Sequence, residues 1–406
     1  MPSIYLDYNS TSPIDPRVAA AMAECYAQGF ANPASQHTPG RAARRRLEEA
    51  REGITELLGA KTTGMDADQV IFTSGGTEAN NLALFGLAGA SPGRVVVSSI
   101  EHPSVLAAAA ELARRGWQVD YLPASSDGVC CLDQARALLA QPAALVSLML
   151  ANNETGVVQP VAEVAALAHS AGALVHTDAA QAAAKLPVDF RRLGVSAMSL
   201  AAHKFHGPRG VGALVLRHGA ALRPLMFGGF QQAALRPGTE DVALAVGMHT
   251  ALRLWLAEAA ERTARLTSLR DRFESHLASA GAGNVAAVNI EILGAPQDRL
   301  PQTSCVSFPG LERQALVMAL DLAGVACSTG SACASGSSEP SHVLTAMGCS
   351  AAVISGAVRF SFGDPLTAAD VDEAARRILS VVNKLRRQET APPTSATARE
   401  AGEKTL

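Results

Sequence analysis

The first residue that suggests chemistry is Lys204, which follows a short apolar run at 197–201 and precedes a turn rich in glycine and proline. Lysine is strongly hydrated and is rarely placed at the end of a buried strand without a reason. One reason is Schiff-base chemistry, because a partly desolvated amine loses its proton more easily and can attack an aldehyde. A solvated loop lysine is the alternative when this residue is taken alone.

Three more loops follow strand-like runs and carry polar residues, at 73–78, 99–103 and 175–181. The glycines before Thr77 can present backbone N–H groups to an anion. His102 can stack on a flat ring or move a proton. Asp178 can hold a ring nitrogen in its protonated form. Taken singly, these loops have ordinary alternatives, which are a capping turn, a structural histidine and a helix N-cap.

Together the four loops indicate one ligand. In an open parallel sheet, ligands collect at the carboxyl ends of the strands, where these loops lie. A phosphate-binding turn, a stacking histidine, an acidic partner for a ring nitrogen and a Schiff-base lysine have pyridoxal phosphate as their natural common ligand. The lysine would hold its aldehyde, and the acid would keep its ring an electron sink. The sequence therefore predicts pyridoxal 5'-phosphate as the cofactor.

The elements that must position these loops alternate between strand-like and helical patterns, which predicts an α/β fold with a mostly parallel sheet. The predicted strands of this part are 70–72, 94–98, 144–150, 173–177, 197–201 and 212–217. The helices predicted between them are 78–87, 103–115 and 161–170. One long helix or two are predicted over 242–280, followed by strands at 285–292, 303–308 and 358–362 and by helices at 312–322 and 368–387.

The chain has 406 residues, which exceeds the usual size of a single core and predicts two domains. We expect a large cofactor-binding domain over 14–252. We expect a smaller α+β domain, formed by 1–13 and 253–387, to carry the reactive cysteine segment. The end of the chain, 388–406, is rich in Pro, Thr, Ala and Glu and predicts a disordered tail.

Composition excludes several classes of protein. The formal net charge of −3 argues against nucleic acid as the main partner. No run of eighteen apolar residues and no secretory signal is visible, so we expect no membrane association and a cytoplasmic location. The seven cysteines are odd in number and include no Cys-x-x-Cys pair, so we expect neither a disulfide framework nor a metal site.

The chain resembles the pyridoxal-phosphate-dependent cysteine desulfurases of the NifS/IscS type, in the class V aminotransferase family. The resemblance spans nearly the whole chain except the tail, and it implies the PLP-transferase fold of type I. Its most specific feature is the Lys204 turn combined with Ser331-Ala332-Cys333. The matching segments are 5–9, 32–35, 73–78, 101–103, 152–158, 177–181, 203–208, 236–240, 328–335, 339–342 and 359–361.

The resemblance implies roles around the cofactor. Lys204 would form the Schiff base and act as a catalytic residue. His102 would stack on the ring and also act in catalysis, Asp178 would pair with the ring nitrogen, and Gln181 would contact the phenolic oxygen. The residues implied to hold the phosphate are Gly76, Thr77, His203 and, from the second subunit of a homodimer, Thr239.

The resemblance also implies how substrate is held and where sulfur goes. Arg359 and Asn153 would bind the carboxylate of L-cysteine, Asn153 would also contact the cofactor, and Asn32 would be a further substrate-binding residue. Cys333 would take the sulfur as a persulfide and leave L-alanine. An acceptor protein would then receive the sulfur, with iron–sulfur scaffolds, tRNA thiolation and cofactor biosynthesis as open alternatives.

Cys333 lies among small polar residues at 327–338, a composition that predicts a mobile loop with an exposed, reactive thiol. A buried thiol is the alternative. Two positions depart from the family pattern. Ala201 stands where the family has a phosphate-binding serine, which predicts weaker cofactor binding, and Phe230 stands where it has a glycine. The alternative functions are a selenocysteine lyase, another class V aminotransferase-like enzyme and a non-catalytic sulfur-relay subunit.

Overall fold

The computed structural model describes residues 3–29, 31–281, 289–330 and 339–390. Its strands are β1 (Ile4–Tyr5), β2 (Gln69–Thr73), β3 (Arg94–Ser98), β4 (Gln118–Leu122), β5 (Leu145–Ser147), β6 (Leu174–Asp178), β7 (Ala197–Ala201), β8 (Gly212–Leu216), β9 (Glu291–Leu293), β10 (Thr303–Ser307), β11 (Val325–Ala326) and β12 (Ala357–Ser361).

The helices begin with α1 (Pro16–Ala27), α2 (Thr38–Leu57), α3 (Gly76–Ala88), α4 (Pro103–Arg114), α5 (Leu132–Leu138) and α6 (Val161–Ser170). They continue with α7 (Val242–Ala257), α8 (Ala259–Gly281), α9 (Arg313–Leu322), α10 (His342–Ala346), α11 (Ala351–Ser355) and α12 (Ala368–Thr390).

The largest sheet has seven strands in the order β2-β8-β7-β6-β5-β3-β4. Neighbours from β7 to β4 run parallel, whereas β8 is antiparallel to both β7 and β2. The crossovers between parallel strands place helices on both faces. Successive residues of β3 point to opposite faces, so Val95 and Val97 pack with α3 and α4 while Val96 joins the core beneath α2, α6 and α7.

A smaller sheet in the order β12-β10-β9 is antiparallel and packs against α8. The Phe273 ring on α8 lies 5.0 Å from the ring of Phe360 and 5.3 Å from that of Phe362, measured between centroids. These aromatic contacts bury large apolar areas and fix the helix on the sheet. The predicted α/β fold with a mostly parallel sheet and a smaller α+β part is therefore confirmed.

The N-terminal segment connects the two parts. β1 pairs in parallel with β11, and Asp7 bridges to Ser361 at the end of β12. A few residues later, the Ser12 N–H donates to the carbonyl of His203, 3.0 Å away in the Lys204 turn. The first residues of the chain thus contact both β12 of the smaller sheet and the turn that follows β7 of the largest sheet.

The edge strand β2 is protected by a side chain. The Gln232 side-chain amide accepts from the Phe72 N–H at 2.7 Å and donates to the Phe72 carbonyl at 2.9 Å. It therefore satisfies the two backbone groups that another strand would pair with. Gln232 reaches this position from a left-handed backbone conformation with φ of 51°.

Several predicted boundaries differ from the structure. The predicted strand 144–150 ends its pairing with β3 at Ser147, because the Met149 N–H donates to the Oε1 atom of the buried Glu101 carboxyl group at 2.6 Å. The helical stretch over 242–280 is two helices that meet at Glu258. Helix α12 continues to Thr390, so the first three residues of the predicted tail are helical. Residues 391–406 lie outside the described part of the chain.

Within the described ranges, none of the helices combines the length and apolarity that crossing a bilayer requires. The same residues contain no cluster of three or more His, Cys, Asp or Glu side chains arranged to hold a metal ion.

Candidate active site

A cavity of about 290 Å³ opens at the carboxyl ends of β6 and β7, where the sequence predicted a ligand. Nine of the predicted site residues line it together. They are Gly76, Thr77, His102, Asn153, Asp178, Gln181, His203, Lys204 and Arg359. A larger cavity of about 880 Å³ lies between α2 and residues 229–233, and no predicted site residue lines it.

Lys204 enters the cavity from a single 3-10 turn that follows β7. Its Nζ donates to the backbone carbonyls of Asn9 at 2.6 Å and Ser10 at 2.8 Å. The turn is tight, since a Cβ on Gly207 would lie 2.7 Å from the Ala202 carbonyl oxygen, so only glycine fits there. The Lys204 amine is therefore held by the backbone of the N-terminal segment.

Asp178 is the last residue of β6 and is buried. Its Oδ1 accepts from the Ala180 N–H at 2.9 Å, and its Oδ2 accepts from Asn80 Nδ2 at 2.6 Å. Both partners donate, which suits an ionised carboxylate in this cavity. The structure thus gives Asp178 the turn-capping contact of the simpler interpretation as well as a place in the site.

One end of the cavity is formed by the start of α3. Gly75 precedes this helix without a side-chain capping bond, so the first N–H groups of α3 have no capping acceptor. Space is short here, because a Cβ on Gly76 would lie 3.3 Å from that of Ala201. His203 contacts Thr11 Oγ1 through Nδ1 at 3.2 Å, and burial lowers its pKa to about 4, so its ring is neutral near pH 7.

Arg359 closes the opposite end and is 2% exposed. Its guanidinium donates to Asp7 Oδ1 at 2.9 Å, to Ser10 Oγ at 2.8 Å and to the Asn153 carbonyl at 3.0 Å. Its Nε and the Asn153 Oδ1 are buried and have no hydrogen-bond partner among the described residues. A buried arginine beside an unsatisfied amide oxygen offers both a cation and an acceptor to a ligand.

Three predicted residues are not brought to this cavity by the described structure. Thr239 lines a separate cavity of about 160 Å³ next to Ser74. The Asn32 side chain accepts from the Ala34 N–H at 2.8 Å and does not line the main cavity. Cys333 lies outside the described residues, so its predicted loop and reactivity stay predictions.

Sequence reasoning did not single out Asn9, Ser10 and Asn80, which line the cavity, or Lys185, which contacts the cavity residue Gln181. Asn9 and Ser10 bind Lys204 through backbone carbonyls, which any residue type carries, so no side-chain signal existed. Asn80 lies one helical turn after Gly76, and that spacing is a usable signal. Lys185 lies four residues after Gln181, and its Nζ donates to Gln181 Oε1 at 3.3 Å.

Comparison with known proteins identifies the family. The sequence profile described as aminotransferase class-V matches residues 4–374. The chain belongs to the class V aminotransferase family.

Other members of the class V aminotransferase family resemble the chain over almost its whole length. A cysteine desulfurase from Cereibacter sphaeroides is 45% identical, with 95% of this chain and 97% of that protein covered. An IscS-like cysteine desulfurase from Mycobacterium tuberculosis is 43% identical, with 94% and 97% covered.

Solved structures of the family share the fold. A NifS-like protein from Rickettsia africae superposes with a TM-score of 0.84 at 28% identity, covering 94% of this chain and 99% of that one. The structure of SspA in complex with cysteine gives a TM-score of 0.75 at 31% identity, covering 88% and 98%.

The class V aminotransferases depend on pyridoxal phosphate, and the cavity of this member fits that cofactor. A lysine amine, a carboxylate that accepts from two donors and an uncapped helix N-terminus lie around one space. These are the group types that an aldehyde, a ring nitrogen and a phosphate require. The missing hydroxyl at Ala201 leaves the expected weaker phosphate binding as a prediction.

Proposed function

We propose that the chain is a cysteine desulfurase that converts L-cysteine to L-alanine and places the sulfur on Cys333 as a persulfide. The observation that carries the proposal is the convergence of Lys204, Asp178 and Arg359 on one cavity. Relatives named cysteine desulfurase at 45% and 40% identity, and a related structure with cysteine bound, support the choice of substrate.

Bound pyridoxal phosphate supplies an electrophilic aldehyde and an electron sink for a carbanion. Lys204 holds the cofactor at rest and then, through Nζ, takes the Cα proton of the substrate and returns it. Asp178 holds the ring nitrogen, His102 covers the ring, and Gln181 contacts the phenolic oxygen. Gly76, Thr77 and His203 bind the phosphate.

Substrate binding involves the other end of the cavity. The buried guanidinium of Arg359 and the amide of Asn153 bind the substrate carboxylate, with Asn32 as a further contact. The cation is therefore a positioning group, and the proton transfers fall to Lys204.

The sulfur step joins two thiols and breaks one carbon–sulfur bond. The Cys333 thiolate forms an S–S bond to the substrate sulfur, the Cβ–S bond breaks, and its electron pair remains with Cβ, which is then protonated. L-cysteine and a protein thiol thus give L-alanine and a protein persulfide, and the balance requires no external oxidant. The persulfide then passes to an acceptor protein for iron–sulfur cluster or thio-cofactor assembly, in the reducing cytoplasm.

The test compares the holoenzyme with Cys333→Ala, Lys204→Ala and, as a control thiol variant, Cys349→Ala. Cys333→Ala should retain the cofactor absorption and bind cysteine but release no sulfide, whereas Cys349→Ala should behave as wild type. Lys204→Ala should form neither alanine nor sulfide. Sulfide release by Cys333→Ala at the wild-type rate would refute the role of this thiol, and faster turnover of selenocysteine than cysteine would favour the lyase alternative.

The enzyme also works as a homodimer in this proposal. Residues 225–230 expose four large apolar side chains, of which Phe227 is 88% and Phe230 is 93% exposed. Thr239 lies near this segment, away from the cavity of its own chain. A second copy would cover the apolar side chains and bring its own Thr239 to the phosphate.

A further inference from the structure

The Asn80 side chain, in the first turns of α3, lies between two groups of the candidate active site and is 1% exposed. Its Nδ2 donates to Asp178 Oδ2 at 2.6 Å and to Ser104 Oγ at 2.9 Å. A side-chain amide nitrogen carries two hydrogens, so each of these bonds uses one.

The charge of Asp178 fixes which way the Asn80 amide faces. If the amide were reversed, its oxygen would lie 2.6 Å from a carboxylate oxygen, with two acceptors in contact. The observed orientation leaves Asn80 Oδ1 buried and without a hydrogen-bond partner within the described residues. An oxygen left unsatisfied in this way indicates that the two N–H bonds determine the orientation.

The Ser104 hydroxyl carries the connection to His102. Its Oγ lies 2.7 Å from His102 Nδ1, and this pair alone permits a hydrogen bond in either direction. The Ser104 backbone N–H, 3.1 Å from the same ring nitrogen, settles the direction. Because a backbone N–H can only donate, Nδ1 must present its lone pair, and the hydroxyl also donates to it.

A neutral imidazole protonates one nitrogen, so the His102 proton lies on Nε2. If Nδ1 carried the proton, its N–H would face the Ser104 backbone N–H. Burial also lowers the pKa of His102, which favours the neutral ring. Of the charged groups around the ring, Asp178 raises that pKa, while Lys204, His342 and Arg359 lower it. Every hydrogen from the Asp178 carboxylate to His102 is thereby assigned.

We infer that Asn80 is a positioning residue that connects the Asp178 carboxylate to His102 through the Ser104 hydroxyl, and that this hydroxyl and the Ser104 backbone N–H together keep the His102 proton on Nε2. The inference rests on the proposed function for the meaning of Asp178 and His102, because both would contact the cofactor. In the resting enzyme, His102 is then a hydrogen-bond donor at Nε2 and not a base at that atom. One amide thus contacts both the Asp178 carboxylate and the hydroxyl that donates to His102.

The first test is nitrogen NMR of the full-length holoenzyme labelled with ¹⁵N-histidine, with the His102 signal assigned by its loss in His102→Gln. We expect the Nε2–H tautomer, with Nδ1 unprotonated. A proton on Nδ1 would overturn the inference. The measurement needs no turnover, so its outcome is separate from that of the sulfide assay.

The second test follows the titration midpoint of His102 in variants. Ser104→Ala should raise the midpoint, because the neutral ring loses a hydrogen bond that stabilises it. Asn80→Ala should also raise it, and the double variant should match Ser104→Ala, since Asn80 acts through the hydroxyl. Ser104→Thr, which keeps a hydroxyl, should restore the wild-type midpoint.

Asn81→Ala is the matched control, because this neighbouring amide donates to the backbone carbonyls of Thr77 at 2.9 Å and Ser104 at 3.3 Å and not to the Asp178 carboxylate or the Ser104 hydroxyl. Its midpoint should equal that of wild type. An unchanged midpoint in Asn80→Ala, or shifts that add in the double variant, would remove Asn80 from the connection. If Asn80→Ala does not fold, the Ser104→Ala and Ser104→Thr pair still tests the bond to His102, and equal midpoints in that pair would overturn it.

Discussion

At the scale of single residues, a second lysine contacts Gln181, which lines the cavity. Lys185 is 5% exposed, and its Nζ donates to Gln181. Burial, with smaller contributions from Lys204 and Arg359, lowers its pKa to about 7. A buried amine that titrates near neutrality couples protein stability to pH.

The free energy of unfolding should increase as pH rises from about 7, the pKa of Lys185 in the folded chain, towards 10.5, its pKa in the unfolded chain. In this window the unfolded state binds the proton and the folded state does not, so stability gains up to about 1.4 kcal/mol per pH unit. Below the window both states are protonated and the full penalty is present. Urea unfolding of Lys185→Met should lack this slope, whereas the exposed-site variant Lys61→Met should retain it. The same slope in Lys185→Met would refute the assignment.

Glu101 has the opposite dependence. Burial raises its pKa to about 8, so its carboxyl is largely protonated at neutral pH. The free energy of unfolding should therefore fall as pH rises from 4.5, the ordinary pKa of a glutamate, to about 8, the pKa of Glu101 in the folded chain. Glu101→Gln copies the neutral acid. Its melting temperature should lie close to that of wild type at about pH 4, below both pKa values, and above it at pH 9, and a constant difference across that range would contradict the prediction.

Some residues of the site could be predicted from the sequence and others could not. Lys204, Asp178 and His102 were predictable because each follows a strand-like run, where ligands of a parallel sheet collect, and all three line the cavity. Asn9 was not predictable as a ligand of Lys204, because its backbone carbonyl does the binding. The relation between Asn80 and Asp178 depends on a contact across 98 residues of sequence.

At the scale of elements, the side chain that protects the sheet edge can be tested directly. Gln232→Ala should lower the free energy of unfolding by roughly 1–3 kcal/mol, because Phe72 loses partners for both its N–H and its carbonyl. Gln231→Ala should cost less, because its side chain accepts only a 3.3 Å contact from the Gly238 N–H. Equal losses in the two variants, measured by chemical denaturation, would refute this role.

Strands and helices were predictable where pattern and boundary signals agreed. Helix 161–170 and strand 197–201 match the structure at both ends. β5 is shorter than predicted, because the apolar run continues after the pairing with β3 ends, where the Met149 N–H donates to the Glu101 side chain instead of to β3. The acceptor of this hydrogen bond lies 48 residues away in the chain, so local periodicity could not predict where the strand ends.

At the scale of the whole molecule, the exposed apolar segment predicts self-association. The double variant Phe227→Asp and Phe230→Asp should sediment as a monomer and bind pyridoxal phosphate more weakly, because the partner's phosphate contact is lost. Leu322→Asp is the control, since this side chain on α9 is 89% exposed but lies in the smaller part. A wild-type monomer, or a double variant that stays dimeric, would contradict the proposed assembly.

The two-part organisation followed from length and from the alternation of elements, because a chain of 406 residues with a parallel pattern in its first two-thirds leaves few other folds. The position of the N-terminal segment could not be predicted. β1 is two residues long and pairs with β11, more than 300 positions away in the chain. Pairing over such a separation leaves no local trace.

That pairing also sets an order of events during synthesis. The carbonyls that hold Lys204 belong to residues 9 and 10, and this stretch is anchored by β11 and by Arg359 near the other end of the chain. During synthesis on the ribosome, the N-terminal segment therefore cannot reach its final position until β11 and Arg359 have been made. A nascent chain that ends before β11 should be able to form the seven-stranded sheet while residues 9 and 10 still lack the anchors that β11 and Arg359 provide.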